Sequence, residues 1–423
     1  MATTSQPKPS TEREGIFDSL RYANYRYLWF GTIFSSTGQW LQQVSLGWVV
    51  YDLTGSGTLL GSVNAMRFIA ILMFAPFSGV VIDRLDRGKQ LTWSPLILFT
   101  SSIILAFVLL FDRAEVWHLF IFMFLFGTIQ AFENPLRNSL AFELVPREKA
   151  PNAISLNWVA QISTRAVAPT FGGMLMSAVG ASGNFFVQGG GYLLALLTRL
   201  KMKVPARPHR SDRKPLADFL EGITFVARSH RTRSYLLMSF IPTILLVPTF
   251  TSLAPIFAKD IYGAGPSALG FMLGAVGVGD LLGAVFTAWL KVDRRGLFQL
   301  ASLFAFGLAM FLFTLATQLW LGILLLGLAG FFEMATLTTN QTMLQLSVPD
   351  RLRTRVSGVM MLSAGVLPLG ALAGGIGADV IGAPITARIM ASAVLVITVL
   401  IFAFSPLIRN GRFSEALASA QTD

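Results

Sequence analysis

Apolar residues fill twelve stretches of the chain, at about 25–50, 58–82, 90–111, 117–141, 153–178, 184–200, 234–258, 267–290, 297–316, 319–341, 356–379 and 384–406, with short polar breaks between them. A helix rising ~1.5 Å per residue needs about 20 residues to cross the ~30 Å hydrocarbon core of a bilayer, and nearly all of these stretches reach that length. The pattern predicts an all-α protein that crosses a membrane twelve times. The polar segment Met1 to Ser10 precedes the first stretch, which is too long for the apolar region of a cleaved signal, so it is expected to stay in place as an anchor.

Composition agrees with that pattern. Hydrophobic residues make up 53% of 423 and charged residues 13%, and the mean hydropathy is +0.62, so a soluble domain could not cover this much apolar surface with so little charge. The absence of cysteine excludes disulfides and thiol chemistry. Lysine and arginine set the orientation: Arg113 and Lys259 fall in predicted outer loops, Arg67, Arg137, Arg165 and Arg388 lie within stretches, and the others fall on the opposite side. The positive-inside rule then places both termini in the cytoplasm. The net charge of +11 is spread over every inner loop as that rule requires, so it does not point to nucleic acid.

The largest break divides the stretches six and six. We read 1–23 as a cytoplasmic N-terminal segment, 24–200 as one six-helix bundle, 201–233 as a cytoplasmic linker, 234–407 as a second bundle and 408–423 as a tail. Within the linker Leu216, Phe219, Leu220 and Ile223 recur at helical spacing, which predicts a short amphipathic helix on the inner membrane face. At an offset of 203 residues, Leu125, Gly127, Val145 and Pro146 match Leu328, Gly330, Val348 and Pro349. Two parallel halves related by an axis along the membrane normal would place a substrate site between them near the midplane.

After the second stretch the chain reads Gly79-Val-Val-Ile-Asp83-Arg84-Leu-Asp86-Arg87-Gly88-Lys89, which resembles the signature loop of the major facilitator superfamily. Asp86 stands where that pattern has glycine, and Gly88 where it has a basic residue. Asp293, Arg294 and Arg295 form a more degenerate second-half counterpart, and Arg165 to Gly173, with Pro169, is similar to the proline-glycine signature of the family's exporters, with Ala168 in place of a glycine. Asn24 to Trp29 with Gly38-Gln39-Trp40, Tyr51 to Ser56, and Pro135 to Arg137 with Leu144 to Glu148 resemble the branch of macrolide-efflux and enterobactin-export proteins. The resemblance implies the twelve-helix major facilitator fold, a bacterial cytoplasmic membrane, a monomer, and a latch formed by Gly79, Asp83, Arg84, Arg87, Lys89 and Arg137. Topology-setting charge is the other account of those basic residues.

Charge inside the membrane marks function more sharply, because each such residue costs a few kcal/mol or more unless it faces a cavity or a partner. Arg67, Glu133, Arg137, Arg165, Asp280 and Glu333 fall on stretches two, four, five, eight and ten. On the fourth, Gln130, Glu133, Asn134, Arg137 and Asn138 form one polar stripe. Gln39, Trp40 and Gln42, then Asn64 and Arg67, then Asn157, Trp158, Gln161 and Arg165, and finally Phe331, Glu333, Thr336 and Asn340 are the other candidate cavity residues. Aromatics with few polar anchors suit a bulky amphipathic molecule better than a sugar or an ion.

Glu133, Asp280 and Glu333 are the candidate proton-coupling groups, since coupling needs a carboxylate that takes a proton on one side and releases it on the other. Glu133 has a competing role as an ion pair with Arg137 one turn later, and Arg137 could instead snorkel or pair with Asp83. Asp280, amid Gly274, Gly277, Gly279 and Gly283, could be hydrogen-bonded at a helix contact. Arg165 needs an acidic partner or an anionic substrate. No phosphate-binding loop and no metal-ligand spacing of histidines is present, so no cofactor is expected and the energy source is an ion gradient. The expectation is proton antiport of an amphipathic drug- or siderophore-type compound, with membrane lipid and protons as the other partners. A lipid or lysolipid flippase and a non-transporting sensor stay open as alternatives.

Overall fold

The computed structural model describes residues 15, 17–84, 86–204, 215–290, 292–349, 352, 356 and 365–413, with side chains omitted at 76, 79–84 and 215–219. Gly79, Asp83, Arg84, Leu216 and Phe219 therefore lie outside the described side chains, and the first part of the eleventh stretch lies outside the described residues.

Four helices open the chain: α1 (Ala23–Thr54), α2 (Gly57–Arg84), α3 (Arg87–Leu110) and α4 (Val116–Glu143). A continuous helical run, Ala150–Leu200, follows, but it folds back at Gly180 (φ 73, ψ −179), a conformation in which a side chain would be strained. Asn184 Nδ2 donates to the Gly172 carbonyl at 3.2 Å, although twelve residues of straight helix would separate them by ~18 Å. The run is therefore two antiparallel helices, α5 (150–179) and α6 (181–200). The second half comprises α7 (His230–Ile261), α8 (Pro266–Trp289), α9 (Arg295–Phe313), α10 (Leu319–Leu346), α11 (Leu367–Ile381) and α12 (Ala383–Phe404). Each predicted stretch thus has its helix, and no strand occurs among the described residues.

The seventh stretch departs from the expected continuous helix. It begins at His230, breaks at Leu246 and again at Ser252 and Leu253, and ends in a π-helical turn over Phe257–Ile261. Pro242, Pro248 and Pro255 lie along it, and each removes a backbone donor from the helical ladder. The linker forms a helix over Pro215–Arg228. Leu220 and Ile223 on it are exposed, whereas Val226 is buried with Leu236, Val348 and Leu352 of the second half.

α2 packs on α4 in the first half and α8 on α10 in the second, while α5 against α8 and α2 against α11 join the halves. The internal repeat has a structural reason in the first of these pairings. A Cβ on Gly127 of α4 would lie 2.2 Å from the Arg67 carbonyl of α2, and one on Gly330 of α10 would lie 2.2 Å from the Val276 carbonyl of α8. Glycine at both positions lets the paired backbones touch.

The halves share one apolar core at the end of the bundle opposite the basic loops. There Val44, Val50, Leu60 and Phe122 pack with Phe250, Leu253, Phe257 and Leu269. At the basic end the first half has its own cluster around Tyr25, Leu28, Leu136 and Leu140, and the second half has separate clusters around Leu236 and Tyr235.

Candidate translocation site

Three contacts between the halves close the end opposite the basic loops. The Tyr51 hydroxyl donates to Asp260, Lys259 Nζ lies 2.5 Å from Asp52 Oδ1, and Asp379 of α11 accepts from Ser56 Oγ at 2.8 Å and from the Gly57 and Thr58 amides at 2.6 and 2.9 Å. Asp379 thus satisfies free amides at the N-terminus of α2 from the other half of the molecule. Gly57 and Gly61 permit the approach, for a Cβ on either would overlap the backbone carbonyl of Gly375 or Ala371.

Deeper in, α5 and α8 run with their backbones in contact. A Cβ on Gly277 would sit 2.3 Å from the Arg165 carbonyl, and one on Gly270 would sit 2.8 Å from the Gly173 Cα. That approach brings Arg165 within reach of Asp280, about one turn beyond Gly277 on α8. Arg165 Nη1 lies 2.8 Å from Asp280 Oδ2, and Nη2 lies 3.5 Å from Glu333 Oε2 on α10. The Trp40 ring of α1 covers the guanidinium at 5.5 Å. Asp280 is fully buried, and neither of its oxygens receives a donor in hydrogen-bond geometry. Two carboxylates from one half therefore converge on one guanidinium from the other. Asp280, read from the sequence as a proton-coupling group or a hydrogen-bonded residue at a helix contact, lies on the glycine-lined face of α8 and pairs with Arg165.

A second ionic cluster lies wholly in the first half. Glu133 Oε1 accepts from Arg199 Nη2 at 2.6 Å, and Arg137 Nη1 stands 3.8 Å away. Arg199 also donates to the Leu91 carbonyl at 3.2 Å and to Ser35 Oγ at 3.1 Å. Arg137 donates to Asn134 at 2.9 Å and to Gln161 at 3.3 Å, and is buried. Its guanidinium is thus held inside the first half and does not snorkel; the Asp83 side chain, its other partner expected from the sequence, lies outside the described side chains. Arg199 escaped sequence reasoning because it falls near the basic end of α6 among topology-setting charges. The signal was its place before Leu200, still inside the apolar run.

A third polar chain links α1, α2 and α4. Arg67 Nε donates to Gln130 Oε1 at 2.9 Å, and Gln130 Nε2 donates to Gln39 Oε1 at 3.1 Å. The guanidinium lies over the Phe68 and Phe126 rings at 5.3 and 5.1 Å.

Other candidates lie outside these clusters. Gln42 is buried between helices, accepting from Gln188 and Tyr192 at 3.2 and 3.4 Å. Asn340 is held by Gln299 at 2.5 Å, Ser239 at 2.6 Å and the Tyr235 carbonyl at 3.1 Å. Its amide is consumed by packing among α7, α9 and α10, and it is not presented to a cavity. Asn64 donates to its own helix at the Leu60 carbonyl. Asn157 and Thr336 are buried, each with a side-chain oxygen lacking a partner among the described residues. Trp158 is 56% exposed, and Phe331 stacks on Phe286 and Phe332. In the loop after α2, Arg87 pairs with Glu143 at 3.0 Å, Lys89 is exposed, and Asp86 caps α3 by accepting from the Lys89 amide at 3.1 Å. The cap explains an aspartate where the signature has glycine.

The sequence profile described as "Transmembrane secretion effector" matches residues 14–421. The staphyloferrin A transporter of Staphylococcus aureus is 25% identical over 387 residues, covering 89% of this chain and 95% of its own. Macrolide efflux protein A of Streptococcus pyogenes is 22% identical over 69% of this chain and 73% of its own. The enterobactin exporter EntS of Shigella boydii is 27% identical over 56% of each. Among solved structures, a bacterial homologue of the human lysosomal transporter Spinster in an inward-facing, unoccupied conformation aligns with a TM-score of 0.68 at 15% identity, covering 96% of this chain and 97% of that one. The nucleoside transporter NupG aligns with a TM-score of 0.72 at 14% identity, over 90% and 99%. These structures share the fold.

Proposed function

Because the chain belongs to the transmembrane secretion effectors of the major facilitator superfamily, we propose that it is a secondary active exporter, moving a bulky amphipathic organic compound outward in exchange for protons. We place it in the bacterial cytoplasmic membrane as a monomer with both termini inside, so that the closed end faces out and the separately packed basic ends face the cytoplasm. Drug- and siderophore-type compounds are the substrate classes, in line with the names of its relatives.

The observation that carries the reading is the trio Arg165, Asp280 and Glu333. One fixed positive charge faces two carboxylates in a largely buried setting, and the group is neutral only when it holds a proton. With both carboxylates ionised, Arg165 ties α5 to α8 and α10. A proton arriving on either one weakens that tie between the halves, and its release restores it. Proton occupancy thereby biases the two orientations of an alternating-access carrier. Glu133 has two guanidinium partners of its own, and we assign it a structural role in the first half.

The test is substrate-driven proton movement in proteoliposomes carrying an imposed pH gradient. We expect Asp280→Asn and Glu333→Gln each to abolish coupled flux while substrate binding persists. Wild-type flux with unchanged dependence on the pH gradient in both variants would refute the proposal.

A further inference from the structure

Among the described residues, the other arginines inside the membrane have an ion-pair partner or hydrogen bonds from two of their nitrogens, and Arg67 has neither. Glu133 serves Arg137 and Arg199, Asp280 and Glu333 serve Arg165, and Arg388 is hydrogen-bonded to Thr314 through its hydroxyl and its carbonyl. Arg67 has only the neutral Gln130 carbonyl oxygen on its Nε. Neither of its Nη nitrogens has a hydrogen-bond partner, and no carboxylate lies within ion-pair distance, among the described residues. Residue 67 is ten positions from the start of α2, ~15 Å along the helix and so near the bilayer midplane.

Arginine does not shed its proton at such a site, and a guanidinium without a counter-charge at mid-membrane costs several kcal/mol. Its side chain is only partly buried, and the Gln130 to Gln39 chain leads to the residue beside Trp40, which covers Arg165. Phe68 and Phe126 flank the guanidinium with apolar faces. The geometry is that of an unfilled fork for a carboxylate, with aromatic surface for the apolar body attached to it.

We infer that Arg67 is the binding site for an anionic group on the transported compound, so that the substrate class is amphipathic organic anions. The inference rests on the exporter reading for its statement that the cavity carries substrate. The bound carboxylate supplies the counter-charge that no described residue provides. Selectivity follows, because an amphipathic cation of the same size would leave Arg67 unpaired and add like-charge repulsion.

Equilibrium binding without any pH gradient tests this. The purified protein in phosphatidylcholine nanodiscs is titrated with a dansyl-labelled alkyl carboxylate and with its trimethylammonium counterpart of equal length, with empty nanodiscs as the blank. Wild type should bind the carboxylate about tenfold or more tighter than the ammonium probe. Arg67→Gln should bring that ratio close to one, and Arg67→Lys should keep the preference with weaker affinity because the planar fork is lost. A wild-type ratio near one overturns the proposal, as does an unchanged ratio in a folded Arg67→Gln protein. Should Arg67→Gln fail to fold, wild type and Arg67→Lys decide the matter. Failure of proton coupling would leave the binding ratio intact, so the two proposals fail separately.

Discussion

Replacing Asp379 by alanine tests the closure opposite the basic loops. The carboxylate takes three hydrogen bonds across the halves, from Ser56 Oγ and from the Gly57 and Thr58 amides. Charge-assisted bonds contribute ~1.5–3 kcal/mol each when buried, and loss of a helix N-terminal cap costs ~0.5–2 kcal/mol. Asp379 is exposed, so solvent screening reduces the sum to about 1–2 kcal/mol. That corresponds to roughly a 5- to 30-fold shift towards states with this end open. The backbone contacts at Gly57 and Gly61 persist in the variant, which keeps the effect from being larger. The protein has no cysteine, so spin labels at Arg113→Cys and Thr317→Cys, exposed on opposite halves, report the separation directly. Asp379→Ala should enlarge the long-distance population by that factor, with Asp379→Asn intermediate because its amide oxygen still accepts. Identical distance distributions in wild type and Asp379→Ala would show that the apolar core and the glycine contacts close this end unaided, and the reasoning would fail.

Two further outcomes concern stability. Glu133→Gln removes the anion that Arg137 and Arg199 share among the described residues, which should cost about 3–5 kcal/mol and lower the melting temperature in detergent; a wild-type melt combined with lost proton coupling would instead make Glu133 a coupling group. Gly180→Ala forces a side chain into the φ 73, ψ −179 turn between α5 and α6, at about 1–3 kcal/mol, whereas Gly190→Ala, with open space at its Cβ, should melt as wild type.

Span number, the polar stripe on α4 and the glycine repeat were legible in the chain because each is a local or periodic consequence of the bilayer. A helix in lipid must be long and apolar, it must turn its polar side inward, and it accepts glycine where a neighbouring backbone touches it. The cavity assignments held less well where one helix can place a polar residue either towards a cavity or towards a neighbouring helix. Gln42 and Asn340 lie on inward faces like Gln39 and Glu333, yet both are spent on interhelical hydrogen bonds.

Pairing is what the tertiary structure decided. Glu133 finds Arg199 66 residues away, and Asp379 finds Ser56 across 323. No periodicity along one helix encodes such a distance, because the partner is chosen by which helices come to lie side by side. The sequence by itself determined a membrane-embedded bundle of twelve helices with ionisable residues inside. Only the packing of α5 on α8 and α2 on α11 determined which charges neutralise one another, which end is closed, and that Arg67 has no counter-charge among the described residues.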